Sequence, residues 1–155
     1  MKKLRNSGAR QSGMTLVELI VAITIMMVLT SVALPVVRIR VQRERETELR
    51  RALWDMRDAI DRYKDAADRN AFQVKLGSEG YPPDLQTLVD GVDVNGTKLR
   101  FLRRIPIDPM TGNADWGMRS VQDDPDSGSW GGQDVFDVFS KSNTTALDGT
   151  KYSDW

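Results

Sequence analysis

Apolar residues dominate one stretch of the chain and then thin into a periodic pattern. Met14–Val37 carries a single ionisable residue, Glu18. About 24 helical residues at ~1.5 Å each span roughly 36 Å, enough to cross a bilayer. The run is longer than the apolar region of a cleaved secretory signal, about 7–15 residues. Lys2, Lys3, Arg5 and Arg10 precede it and Arg38, Arg40 and Arg43 follow it, so loop charge alone does not orient it. Pro35 removes a backbone donor inside the predicted helix and crowds the preceding turn, so loosening is expected there. The pattern then becomes a helical stripe through Leu49, Ala52, Leu53, Met56, Ile60, Tyr63 and Ala67. Charges fill the other faces, with Glu46–Arg50, Asp58–Arg62 and Asp65–Arg69 spaced for pairing along the helix. They read as a solvated face or as contacts between subunits of a polymer. Trp54 lies beside the stripe, as its edge or as such a contact. The helix is predicted to end within 70–76, ahead of Gly77 and Gly80.

Shorter elements follow. Pro83 suits a first helical position, Leu85, Leu88 and Val89 share a face, and Gly91 suits a stop, so a short second helix is predicted. Asn95-Gly96 signals a tight hairpin turn joining strands over 92–94 and 98–101. The prolines of Arg103-Arg104-Ile105-Pro106-Ile107-Asp108-Pro109 exclude a regular element, and 110–113 reads as a turn. Alternation predicts strands over Ala114–Val121 and Asp134–Ser140, separated by an Asp-, Gly- and Ser-rich loop. The fold class is therefore α+β: a long N-terminal helix packed on a small antiparallel sheet.

Composition narrows the chemistry. The 155 residues suit one globular domain and include no His and no Cys. Imidazole bases, thiolate nucleophiles and Cys-ligated metal centres are thereby excluded. Basic and acidic residues number 22 each, yet the first 13 residues hold four cations and no acid. Beyond them the chain is acidic, which argues against nucleic acid as a partner. The aspartates at 123–126 read as a solvated loop, since no base, nucleophile or phosphate cradle converges on them. No catalytic residue and no metal ligand is assigned.

Glu18 remains to be explained, because a carboxylate in hydrocarbon costs several kcal/mol unless it is paired. Either it sits hydrated near the interface or it has a partner. Gly13-Met14-Thr15-Leu16-Val17-Glu18-Leu19-Ile20, after a basic leader and ahead of Pro35, resembles the processing and methylation motif of type IV pilins and type II secretion pseudopilins. The resemblance implies cleavage between Gly13 and Met14 by a prepilin peptidase and N-methylation of Met14. It also supplies the partner: in a helical filament, Glu18 of one subunit meets the Met14 amine of a neighbour. The usual Phe after the cut is Met14 here.

The order of elements also resembles the G-type major pseudopilin. The carrying segments are Tyr81-Pro82, Arg104-Ile105-Pro106-Ile107-Asp108-Pro109 with Gly112, Phe136-Asp137-Val138-Phe139-Ser140, and Asp154-Trp155. This implies a cleaved leader at 1–13, a transmembrane and filament-core helix at 14–37 and a periplasmic head at 38–155, single-pass in the bacterial inner membrane. It implies a homo-oligomeric filament built with other pseudopilins, an assembly ATPase and a platform protein, driving export through the type II system. A type IV pilin for adhesion, motility or DNA uptake is the nearest alternative. A membrane-anchored enzyme or binding domain is a third, and gives Glu18 no role. The G-type resemblance further implies calcium in the loop after the last strand. Here residues 141–149 contain one carboxylate, Asp148, and no family ligand carries over. A hydrogen-bonded polar loop without cofactor is expected, with calcium the alternative.

Overall fold

A computed structural model describes residues 15–75, 77–124 and 127–155, and for 32–35 the backbone alone. The chain divides into two compact units, one reaching Arg40 and the other formed by Val41–Trp155. Helix α1 runs from Leu16 to Asp68, α2 from Leu85 to Asp90. The strands are β1 (Val92–Val94), β2 (Thr97–Leu99), β3 (Gly117–Arg119) and β4 (Asp137–Phe139), and a single 3₁₀ turn covers Tyr152–Asp154. They form two separate antiparallel pairs, β1 with β2 and β3 with β4. This is the α+β layout that the pattern predicts and the pilin-like one that the resemblance implies, with the strands in two pairs.

The second unit is organised by the stripe on α1. Every stripe residue from Leu49 to Ala67 is buried, joined by Ala59 and Ala66. All of them but Ala67 pack in one core with Leu85, Leu88, Phe101, Trp116, Val135, Val138 and Tyr152. Tyr63 stacks against Phe72 and Phe101 with ring centroids 4.9 and 5.3 Å away. Trp54 is not the edge of this stripe, for it is 75% exposed. Of the three expected pairs only Asp58–Arg62 forms, at 3.0 Å. Glu46 and Arg50 turn instead to the end of the chain, and no ion pair joins Asp65 to Arg69 among the described residues.

Helix α1 ends earlier than the predicted 70–76 because Asn70 adopts a left-handed φ of 54°. Asn70 N–H then donates to the Ala67 carbonyl and Ala71 N–H to the Ala66 carbonyl, a Schellman closure that occupies the last free acceptors. α2 starts two residues after Pro83. Asp84 is its N-cap, accepting from Thr87 N at 2.7 Å, and outcompetes proline as the start signal. In the hairpin, Val92 faces Leu99 and Val94 faces Thr97. Asn95 and Gly96 both have the positive φ, 52° and 80°, that the turn requires. β2 stops short of residue 101 because Phe101 and Leu102 donate to the Leu88 carbonyl and so leave the ladder.

β3 and β4 are likewise shorter than the strands predicted over 114–121 and 134–140. Their flanking amides bond elsewhere: Ser120 N–H donates to Asp123 Oδ2 at 2.8 Å, Val121 N–H to Asp134 Oδ1 at 3.2 Å and Val135 N–H to the Pro82 carbonyl at 2.8 Å. Gly117 is required by packing, since a Cβ there would lie 2.3 Å from the Phe139 ring.

Asp134 is fully buried, with Oδ1 accepting from Val121 N at 3.2 Å and Oδ2 without a hydrogen-bond partner among the described residues. Burial raises its pKa above the usual carboxylate value, with Glu79 and Asp123 adding to the rise and the Val121 hydrogen bond opposing it. A raised folded pKa means the native state holds this proton more tightly than the unfolded chain. The contribution of Asp134 to stability therefore falls as pH rises through its folded pKa. Asp134→Asn keeps the acceptor for Val121 and removes the buried charge. Thermal unfolding of the variant at neutral pH is expected to lie a few degrees above wild type. The gap should close on acidification toward the unfolded carboxylate range.

Candidate functional site

The first unit holds the apolar part of α1. Thr15 precedes the helix, and its Oγ1 accepts from Glu18 N at 3.3 Å, while Leu19 N bonds the Thr15 carbonyl at 3.1 Å. Thr15-Leu16-Val17-Glu18 thus has the sequence of a capping box, and the forward half of that box is made. The Thr-x-x-Glu spacing is the sequence signal of this cap. It places Glu18 in the first helical turn, where the helix dipole favours a negative charge. Among the described residues, no group pairs with the Glu18 carboxylate.

The helix beyond is apolar and uncovered. Its most apolar 18-residue window has a mean hydropathy of 2.5 and is 0% buried, and it is the one described helix long and apolar enough to cross a membrane. Leu16, Val17, Met26, Met27 and Leu29 are each at least 65% exposed. The hydroxyls in this stretch are satisfied by their own helix: Thr24 donates to the Ile20 carbonyl, Thr30 to Met26 and Ser31 to Val28, all within 2.8 Å. Such a surface demands lipid or the helices of other chains. The cleavage residues Gly13 and Met14 lie outside the described residues, as does the side chain of Pro35. The helical backbone itself runs unbroken through position 35.

Among its described residues, the unit Val41–Trp155 offers no comparable chemical centre. One groove, about 650 Å³, is lined by Asp55, Asp58, Arg62, Arg100, Arg103, Arg104 and apolar neighbours. It holds charges of both signs and no activated nucleophile. Asp123 organises the 120–131 loop by accepting from Ser120 N at 2.8 Å and Gly131 N at 3.0 Å. Those backbone donors, Ser120 first, lower its pKa. Among the described residues, no three carboxylates converge as a metal cluster.

A family model described as the prokaryotic N-terminal methylation motif matches residues 8–34. No curated protein and no solved structure matches the chain. The motif coincides with the apolar segment and Glu18, and it supports the type IV pilin-like family. It indicates a structural subunit processed by a prepilin peptidase and assembled into a filament. A membrane-anchored N-terminal helix is consistent with both the motif and the fold.

Proposed function

We propose that the chain is a pseudopilin, a structural subunit of the type II secretion pseudopilus. Prepilin peptidase removes residues 1–13, and Met14 becomes the methylated first residue. Residues 14–37 span the inner membrane once and later enter the filament core, while 38–155 form the periplasmic head. Glu18 pairs with the Met14 amine of a neighbouring copy. Other pseudopilins, a platform protein and an ATPase complete the machine, and the subunit itself performs no reaction and uses no cofactor.

The observation that carries this reading is the methylation motif at residues 8–34 running into an uncovered apolar helix with one carboxylate. The choice of secretion over a surface pilus rests on the G-type segments of the head, from Tyr81-Pro82 to Asp154-Trp155. Deletion of the gene is expected to trap exoproteins in the periplasm and leave surface piliation unchanged. Mass spectrometry of the protein from cells with prepilin peptidase should give an N-terminal, methylated Met14. Lost surface pili with normal secretion would favour the pilin reading, and an intact leader in assembled filaments would overturn both.

A further inference from the structure

We propose that residues 142–155 are held on α1 by a metal-independent side-chain latch, which stands in this chain where the G-type resemblance implies a calcium ion. The inference concerns the head alone and does not depend on the filament reading.

The latch is built from one side of α1. Gln42, Glu46, Arg50 and Arg57 fall at helical spacings that place them together beside the apolar stripe. Glu46 Oε1 accepts from Tyr152 Oη at 2.9 Å and from Leu147 N at 2.8 Å. Gln42 Nε2 donates to Tyr152 Oη at 3.0 Å and to the Thr145 carbonyl at 3.2 Å. Arg57 pairs through Nε with Asp137 at 2.7 Å and donates through Nη2 to the Val138 and Trp155 carbonyls at 3.1 and 3.0 Å. Arg50 lies 4.1 Å from the centre of the Trp155 ring and 3.7 Å from Asp148. The segment is closed on itself as well: the Trp155 indole donates to Thr150 Oγ1 at 2.7 Å and packs edge-on against Tyr152. Tyr152 is 2% exposed, so its hydroxyl contact with Glu46 is shielded from water.

The same oxygens do not suit calcium, which takes about 6–8 of them, several from carboxylates. The Thr144 carbonyl accepts from Tyr152 N, the Ala146 carbonyl from Gly149 N and the Thr150 carbonyl from Ala146 N. Thr145 O is taken by Gln42. Asp148 Oδ1 accepts both the amide and the hydroxyl of Thr150, at 2.9 and 2.6 Å. Glu46, a second carboxylate at the loop, already accepts from Tyr152 and Leu147. A cation would have to displace donors that already satisfy these groups, and the guanidinium of Arg50 beside Asp148 would repel it. The loop's shape is thus fixed by protein groups in both directions: donors from α1 to the segment, and acceptors on α1 for its N–H and O–H groups.

Lys151 reports on the latch. It is exposed, but it precedes buried Tyr152, so tryptic cleavage after it requires the segment to lift. The full chain in detergent is digested with trypsin and the Lys151 cut is followed by mass spectrometry. Wild type should be cut at the same rate in millimolar calcium and in chelator. Tyr152→Phe, which removes only the hydroxyl, and Glu46→Ala should each speed cleavage by about tenfold or more, as expected for losing a hydrogen bond to a charged group. Faster cleavage in chelator, reversed by calcium, would overturn the proposal. So would unchanged rates in both variants.

Discussion

Glu18→Gln is expected to give a processed, membrane-resident protein that forms few or no filaments. The substitution isolates charge from shape. Position 18 also belongs to the helix cap: its N–H donates to Thr15 Oγ1 at 3.3 Å. Gln serves a capping box as Glu does, so the start of α1 survives the change. Insertion survives too, because a neutral amide is no harder to bury than a carboxylate. The proposed pair with a neighbour's Met14 amine does not survive. An ammonium left in an apolar filament core without its counter-ion costs on the order of 3–5 kcal/mol. At ~1.4 kcal/mol per factor of ten, that is a loss of a hundredfold or more in each subunit-addition equilibrium. A control is available in Thr15→Val, which weakens the cap by about 1 kcal/mol and leaves the charge in place. Filament yield, counted by electron microscopy or shearing, should collapse in Glu18→Gln and fall only modestly in Thr15→Val. Normal yield in Glu18→Gln would sink the pairing and leave Glu18 as a hydrated cap residue.

What the sequence could and could not tell follows from the range of the forces involved. The apolar stripe from Leu49 to Ala67 was legible because one helical period places all seven residues on one side, and burial follows that side wherever the rest of the chain packs. The Asn95-Gly96 turn was legible because only two backbone conformations in sequence are needed, and both are local. Strand lengths were not. Ala114–Val121 alternates well enough for eight residues, yet only Gly117–Arg119 pair with β4, because the next two amides leave the ladder, Ser120 N–H for Asp123 Oδ2 and Val121 N–H for Asp134 Oδ1. Local alternation carries no information about Asp123 or Asp134. The same holds for Glu46 and Arg50. Their spacing suggested a pair along the helix, but an exposed pair of that kind is worth only ~0.3–0.5 kcal/mol. Contacts with Tyr152, Leu147 and Trp155 outweigh it, and those residues lie about a hundred positions away. At the start of α1, the methylation motif and the helix cap are written in the same few residues, because both need only local spacing.

Trp116 and Trp54 separate core from surface, and substituting them should show two opposite results in the head. Trp116 is 2% exposed and is among the largest fully buried side chains. It was not singled out by any periodicity, since it lies outside the stripe and at the mouth of a short strand. Its ring belongs to the core built around Met56, Ile60 and Val138, and its Nε1 ties down the Pro106 carbonyl at 2.9 Å. Trp116→Ala removes a large apolar surface, leaves a cavity and strands that carbonyl, a loss of about 3–5 kcal/mol. Trp116→Phe refills most of the volume and forfeits the hydrogen bond, so a smaller loss of about 1–2 kcal/mol is expected. Trp54, at 75% exposure beside Arg50 and Arg57 on α1, buries little and donates to nothing among the described residues. Trp54→Ala should move stability by no more than ~0.5 kcal/mol. Urea unfolding of the head, followed by near-UV circular dichroism, reads all three. Most domains hold only about 5–15 kcal/mol in total. Trp116→Ala should therefore leave a head close to unfolding at growth temperature, seen as degraded protein in cells and absent filaments. Trp54→Ala should leave a head of wild-type stability, so any assembly defect in that variant would arise from contact between subunits and not from folding. Equal stability losses at Trp116 and Trp54 would contradict this division of core from surface.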